Sequence, residues 1–76
     1  MIDILLFAHL QEAIGDSKIN WSELPITVGE LKQKLSGKYN VSFQAVMVAV
    51  NEEYAEDEME LKAGDTVALI PPVSGG

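Results

Sequence analysis

The chain contains no cysteine, no arginine and only one histidine among its 76 residues. The missing cysteine excludes a disulfide framework, a thiolate nucleophile and a cysteine-ligated zinc site. Metal sites and catalytic triads need further groups at a defined spacing, and His9 stands alone at a predicted junction between a strand and a helix. We therefore expect no metal site, no cofactor-binding residues and no histidine-based catalysis in this chain.

Positive charge is also scarce. Lysine and arginine together number 5 against 12 acidic residues, which gives a formal net charge of -7 at pH 7. Phosphate binding depends on clustered cations, so a nucleic-acid partner is not expected. An acidic surface instead favours solubility and a basic protein partner.

Long hydrophobic runs are absent as well. The longest apolar stretches, residues 45–50 and 67–73, are far shorter than the ~20 residues of a membrane-spanning helix. The first three residues carry no basic segment of a signal peptide. We therefore expect a cytoplasmic protein with no membrane partner, built as one domain whose thin core leaves no room for a deep cleft.

The hydrophobic pattern predicts an α+β fold with one main helix. The predicted elements are a strand over residues 2–8, a short helix over 9–14, a strand over 17–24, the main helix after 27, and strands over 45–50 and 66–70. One long helix against a mixed sheet of four or five strands satisfies this order. The first and last strands are nearly continuous apolar runs, which favours parallel pairing at the sheet centre.

The start of the main helix has the clearest local signal. Thr27 and Glu30 match the capping box, in which the threonine hydroxyl and the glutamate carboxylate each accept a hydrogen bond from a backbone amide at the helix start. Ile26, before the cap, is placed to pack against Leu31 as a hydrophobic staple. The pattern predicts that the helix ends between residues 37 and 39.

An acidic segment follows the 45–50 strand. Residues 52–60 contain six carboxylates, and a stretch with this charge density is typically solvated. The spacing does not match a calcium-binding loop. We expect an exposed loop that holds down Tyr54, Met59 or Leu61. The sequence leaves the functional role of this loop open.

Strand alternation predicts a contact surface. If Ile4 and Leu6 face the helix, their neighbours in the first and last strands turn to the opposite face of the sheet. The residues placed there are Leu5, Phe7, Ala68 and Ile70. Exposed apolar patches usually mark interaction sites, so we expect Phe7 and Ile70 to anchor partners. The alternative is that Phe7 belongs to the core.

The C-terminal residues differ from the rest of the chain. We divide the sequence into a domain over residues 1–70 and an extended tail over 71–76, in which Pro71 and Pro72 stiffen the exit from the last strand. Without Cβ atoms, Gly75 and Gly76 can enter a channel barely wider than the backbone. The reactive group delivered there is the terminal carboxylate, which another protein must first activate as a mixed anhydride with a nucleotide. The alternative is a frayed terminus.

These features together resemble the MoaD family, the small subunits of molybdopterin synthase, which have a ubiquitin-like β-grasp fold. The residues that carry the resemblance are the first strand, the Thr27-capped helix, the turn at 62–65 and the ending Pro71-Pro72-Val73-Ser74-Gly75-Gly76. The resemblance covers the whole chain, and the ending is its most specific part.

The resemblance implies a sulfur carrier rather than an autonomous enzyme. Gly76 would be adenylated by a MoeB-type enzyme that uses ATP, and would then receive sulfur as a C-terminal thiocarboxylate (1-thioglycine). Ser74 and Gly75 would thread into a pocket of the large, MoaE-like subunit, with Pro71, Pro72 and Val73 also in contact. Two small and two large subunits would form a heterotetramer that builds the dithiolene of the molybdenum cofactor. The chain would be a non-catalytic sulfur-donor subunit that binds no cofactor itself.

Three other functions share parts of this pattern. A thiamine-pathway sulfur carrier has the same fold and ending but resembles this chain less at Pro71 and Pro72. A ubiquitin-like modifier would be joined through Gly76 to lysines of target proteins. A plain interaction module would leave its tail idle.

Overall fold

The computed structural model describes residues 1–43 and 45–71. The elements in chain order are β1 (Ile2–Leu6), α1 (Ala8–Ile14), β2 (Lys18–Trp21), β3 (Ile26–Thr27), α2 (Val28–Tyr39), β4 (Met47–Val50), β5 (Glu53–Tyr54), β6 (Glu60–Leu61) and β7 (Thr66–Ile70). The predicted succession of strands and helices is confirmed, and three two-residue strands are added to it. Neither described helix has the length and apolar composition needed to cross a membrane.

The strands form one main sheet and one small sheet. The main sheet has the strand order β2-β1-β7-β4-β5, and β3 pairs with β6. β1 is parallel to β7 at the sheet centre, whereas the other pairs are antiparallel. The mixed five-stranded sheet and the central parallel pair are therefore as predicted, and the arrangement is the ubiquitin-like β-grasp fold.

The core lies between α2 and one face of the main sheet. Burial alternates along β1 and β7, so that every second side chain enters the core. The sheet contributes Ile2, Ile4, Leu6, Val48, Val50, Val67 and Leu69, and α2 contributes Val28, Leu31 and Leu35. This face, which we call the inner face, is the one that the alternation predicted.

The capping box at the start of α2 is present in full. The backbone N–H of Glu30 donates to the Thr27 hydroxyl (3.2 Å), and the backbone N–H of Thr27 donates to Glu30 Oε1 (3.0 Å). Ile26 and Leu31 are both buried, as a hydrophobic staple requires. The helix ends at Tyr39, and Asn40 follows it in the left-handed conformation with φ 55°.

The acidic segment is fastened to α2 by its backbone. The N–H of Val28 donates to the carbonyl of Met59 (2.9 Å), and the N–H of Gly29 donates to the carbonyl of Asp57 (3.0 Å). The Asp57 carboxylate also pairs with Lys32 Nζ at 2.8 Å. These contacts occupy amides that a helix start otherwise leaves without partners.

The expectation that this segment holds down Tyr54, Met59 or Leu61 is met by Leu61, which is buried. Tyr54 is 71% exposed and Met59 is 41% exposed. Backbone pairing of β5 with β4 and of β6 with β3 holds the segment in place. Tyr54 pairs with Ala49, and Ala49 projects from the face of the sheet opposite to the face that carries the core residues Val48 and Val50. Tyr54 projects from the same face as Ala49 and is therefore exposed.

Three predicted strands are shorter than expected. β1 ends at Leu6 rather than residue 8, because Phe7 caps α1 and Ala8 is the first residue of that helix. β2 ends at Trp21, whose buried indole N–H donates to the carbonyl of Glu23 (3.2 Å). The peptide bond between Leu24 and Pro25, which follows, is cis. β4 begins at Met47 rather than residue 45, because Ala45 lies in a turn.

Candidate functional site

The face of the main sheet opposite the core carries a continuous apolar surface. Paired residues of adjacent strands project from the same face, and the register joins Leu5 to Ala68, Ala68 to Ala49, and Ala49 to Tyr54. A second row joins Ile70 to Met47. Together with Phe7, these side chains form what we call the outer patch.

Exposure within the outer patch is greatest at its margins. Phe7 is 45% exposed and Met47 is 51% exposed, whereas Leu5, Ala68 and Ile70 are half-buried. The predicted set Leu5, Phe7, Ala68 and Ile70 is therefore brought to one face. Sequence reasoning missed Met47, Ala49 and Tyr54, although alternation with the core residues Val48 and Val50 was a signal for Met47 and Ala49.

Phe7 extends the alternation one residue beyond β1. Its backbone is extended, with φ -129° and ψ 155°, and it caps α1 without a side-chain hydrogen bond. Ala8 then turns the chain into the helix with a positive φ of 51°. Since Phe7 is exposed, the alternative that places it in the core is wrong.

A shallow depression lies at the edge of the outer patch, on the side of Asn51 and Thr66. Its volume is about 420 Å³, and it is lined by Leu5, Ala49, Asn51, Glu52, Thr66 and Ala68. The two alanines are cross-strand partners. Their small side chains produce the depression, because larger residues at both positions would fill the space above the sheet.

A polar network supports the rim of this depression at the start of β7. Asn51 Nδ2 donates to Asp65 Oδ1 (3.0 Å), and the backbone N–H of Thr66 donates to Asn51 Oδ1 (3.0 Å). The backbone N–H of Lys62 donates to Asp65 Oδ2 (2.8 Å). These hydrogen bonds lower the pKa of the Asp65 carboxyl. The hydrogen bond from Lys62 has the largest effect, and that from Asn51 the next largest. The network connects the turn after β4 to the turn before β7.

The tail begins at the edge of the outer patch. β7 ends at Ile70, and Pro71, predicted as a partner contact, is buried within this chain. The other predicted tail residues, Pro72, Val73, Ser74, Gly75 and Gly76, lie outside the described residues. Their roles, and the domain boundary after residue 70, stay predictions.

Other polar features in the described part of the chain are weaker candidates than the outer patch. Across residues 1–43 and 45–71, no group of three or more His, Asp or Glu side chains is arranged to hold a metal ion. His9 is an exposed residue of α1. A polar groove of about 430 Å³ beside α2 contains Lys32, but that lysine is already paired with Asp57.

Comparison with known proteins identifies relatives along nearly the whole chain. The family model described as the ThiS family matches residues 4–76. The molybdopterin synthase sulfur carrier subunit of Dictyostelium discoideum is 38% identical, over 96% of this chain and 93% of the relative. The match to the family extends through the glycine tail.

Solved structures share the fold. SAMP1 from Haloferax volcanii superimposes with a TM-score of 0.79 at 30% identity, covering 99% of this chain and 98% of that protein. A chain in the complex of subunits 1 and 2 of the molybdopterin-converting factor from Helicobacter pylori gives a TM-score of 0.68 at 23% identity, covering 99% and 97%. At this lower identity the likeness supports the β-grasp fold alone.

Proposed function

Because this chain belongs to the ThiS family, we propose that it is the sulfur carrier subunit of a molybdopterin synthase. The observation that carries the proposal is the 38% identity to a molybdopterin synthase sulfur carrier subunit over 96% of the chain. The family match includes Gly75 and Gly76, the residues on which the chemistry depends.

The chemistry proceeds at the carboxylate of Gly76. A carboxylate resists nucleophilic attack, so a MoeB-type enzyme joins it to the α-phosphorus of ATP and releases pyrophosphate. Hydrosulfide then attacks the carbonyl carbon of Gly76, AMP leaves, and a thiocarboxylate remains on Gly76. The carrier's own contribution is steric, since Gly75 and Gly76 lack Cβ atoms and can approach reacting groups closely.

The outer patch is the proposed docking surface for the large subunit and, at another stage, for the activating enzyme. Phe7 and Ile70 are its proposed anchors, with Leu5 and Ala68 between them. The patch adjoins the strand end from which the tail departs, so a partner bound there is positioned to receive the tail. We propose a cytoplasmic heterotetramer of two small and two large subunits, in which Pro72, Val73 and Ser74 line the path of the tail and this chain donates sulfur without catalysing the transfer.

Intact-mass spectrometry after co-expression with a MoeB-type enzyme and a sulfur source tests the proposal. We expect a species heavier by the difference between sulfur and oxygen, and we expect that species to convert the pterin precursor when the large subunit is added. A matched variant that ends at Ser74 should gain no mass and support no conversion. Adenylation that proceeds without sulfur incorporation would contradict the proposal.

A second function, protein modification, is favoured by one observation. SAMP1 from Haloferax volcanii is 30% identical to this chain, and a second solved structure names the protein small archaeal modifier protein 1. Conjugation would join Gly76 to a lysine of a target through an amide bond. Covalent high-mass adducts that are lost when Gly76 is removed would favour protein modification. If cells that assemble molybdenum cofactor contain no such adducts, the sulfur carrier role is the one supported.

A further inference from the structure

We infer that the depression above Ala49 and Ala68 is a socket for one bulky apolar side chain of the large subunit, flanked there by a lysine or arginine. This inference rests on the proposed function, because it takes the large subunit as the partner of the outer patch. It assigns the partner the projecting side chain and this chain the receiving surface.

The register of the sheet explains the shape of the socket. Leu5, Ala68, Ala49 and Tyr54 lie in one row across four neighbouring strands. Adjacent strands are about 4.8 Å apart, so two small residues are flanked by a leucine on one side and a tyrosine on the other. The depression of about 420 Å³ has room for a leucine or phenylalanine side chain above the two methyl groups.

The charge at the rim determines what accompanies the apolar side chain. The side-chain amide of Asn51 is already engaged, because it donates to Asp65 and accepts from the backbone N–H of Thr66. Glu52 is exposed, and the ion pairs found among residues 1–43 and 45–71 do not include it. A carboxylate beside an apolar depression, on a chain of net charge -7, is complementary to an apolar side chain with a basic neighbour.

The position of the socket relates it to the tail. Ala68 and Ile70 project from the same face of β7, and two residues of a strand span about 6–7 Å. A side chain held at Ala68 therefore fixes the partner close to the point where the tail departs after Ile70. The socket thus sets the position of the large subunit along β7, and with it the depth to which a tail of fixed length can reach.

Filling the socket tests this inference. We expect Ala68→Leu to bind the large subunit about tenfold more weakly or worse, because the added side chain excludes the partner's anchor from a buried contact. Ala13→Leu is the matched control, since it makes the same change at an exposed position of α1 and should bind as the unaltered chain does. Titration calorimetry gives the affinities, and thermal unfolding verifies that both variants are folded.

A series of groups of increasing size at position 68, attached after the protein has folded, makes the test independent of whether Ala68→Leu folds. The chain has no cysteine, so Ala68→Cys introduces a single thiol that can be modified after folding with methyl, propyl and benzyl thiosulfonates. We expect affinity for the large subunit to fall as the attached group grows.

Glu52→Lys should weaken binding severalfold at low salt and less at high salt, with Glu52→Gln intermediate.

The outcomes separate this inference from the proposed function. Equal affinity of the unaltered chain, Ala68→Leu and all the modified thiols would overturn the socket while leaving the carrier role intact. Unchanged affinity of Glu52→Lys for the large subunit would overturn the inference that a lysine or arginine of the partner lies beside Glu52. A chain that gains no sulfur and binds no large subunit would overturn both the function and the socket.

Discussion

The two faces of the central sheet are built from the same strands but differ in what they contain. On the inner face, Ile4 and Val67 are fully buried partners packed beneath α2. On the outer face, one residue further along each strand, Leu5 and Ala68 are half-buried and line the depression. Bulky side chains on one face supply stability, and small or exposed ones on the other leave room for a partner. Stability and the proposed binding of a partner are therefore assigned to alternate residues, and substitutions can separate the two.

The largest expected contrast is between the neighbours Leu69 and Ile70. Leu69 is completely buried, so Leu69→Ala should lower the free energy of unfolding by about 2–5 kcal/mol through lost burial and the cavity left behind. Ile70 is half-buried on the outer patch, so Ile70→Ala should cost much less stability and should weaken binding to the large subunit. Urea denaturation measures the first effect and calorimetric titration the second. Equal losses of stability in both variants would contradict the division between the faces.

The next contrast concerns the two glycines of α2, the helix that covers the inner face. A Cβ at Gly37 meets no atom within 4 Å, whereas a Cβ at Gly29 would lie 3.1 Å from Asp57 Cβ. Gly37→Ala should raise the free energy of unfolding by about 0.5–1 kcal/mol, because alanine loses less backbone entropy in a helix. Gly29→Ala should lower it, since Asp57 is held by a backbone hydrogen bond and by Lys32.

Chemical denaturation of the two glycine variants provides the measurement. An equal gain in both would mean that the acidic segment moves away from α2 without cost. In that case the segment would not act as a support for the inner face, and its backbone contacts with Val28 and Gly29 would contribute little.

The residues that the sequence identified correctly share a local or periodic signal. The alternation of Ile4 with Leu5 recurs in β7, and the Thr27 capping box depends on residues three positions apart. Strands β3, β5 and β6 have two residues each, which is too short for a period to be recognised. Their pairing is determined by distant parts of the chain, so the exposure of Tyr54 could not be predicted.

The candidate site shows the same division. Four members of the outer patch followed from alternation, but the depression required the register between β4 and β7, which no local pattern contains. Met47 follows from the same alternation in the predicted strand over residues 45–50, to which the prediction of the patch was not extended. The two glycines at the chain end were identified by their residue type and their position, without any contact to support them. The role assigned to Gly76 stays a prediction.

A smaller effect is expected from pH at the start of α2. The backbone N–H of Thr27, and next its hydroxyl, donate to the Glu30 carboxylate and lower its pKa below the ordinary value of 4.5. A carboxyl whose pKa is lower in the folded state stabilises the protein above the unfolded-state pKa, and this contribution is lost as the pH falls through the folded-state value. The stability difference between the unaltered chain and Glu30→Gln should therefore shrink as the solution is acidified below pH 4.5.

Unfolding curves for both proteins at neutral and acidic pH measure this difference. The affinity for the large subunit at neutral pH should be the same for both, because Glu30 lies on α2 and not on the outer patch. A difference that grows on acidification would contradict the stated direction of the pKa shift.

The smallest expected change in stability comes from Phe7→Ser. Phe7 is 45% exposed, so its removal exposes little of the core, and a serine at the cap of α1 can accept a hydrogen bond that the phenylalanine cannot. The free energy of unfolding should stay within about 0.5 kcal/mol of the unaltered chain, as is usual for surface substitutions, while binding to the large subunit weakens. A large loss of stability would place Phe7 with the inner face after all, and unchanged binding would remove it from the proposed docking surface.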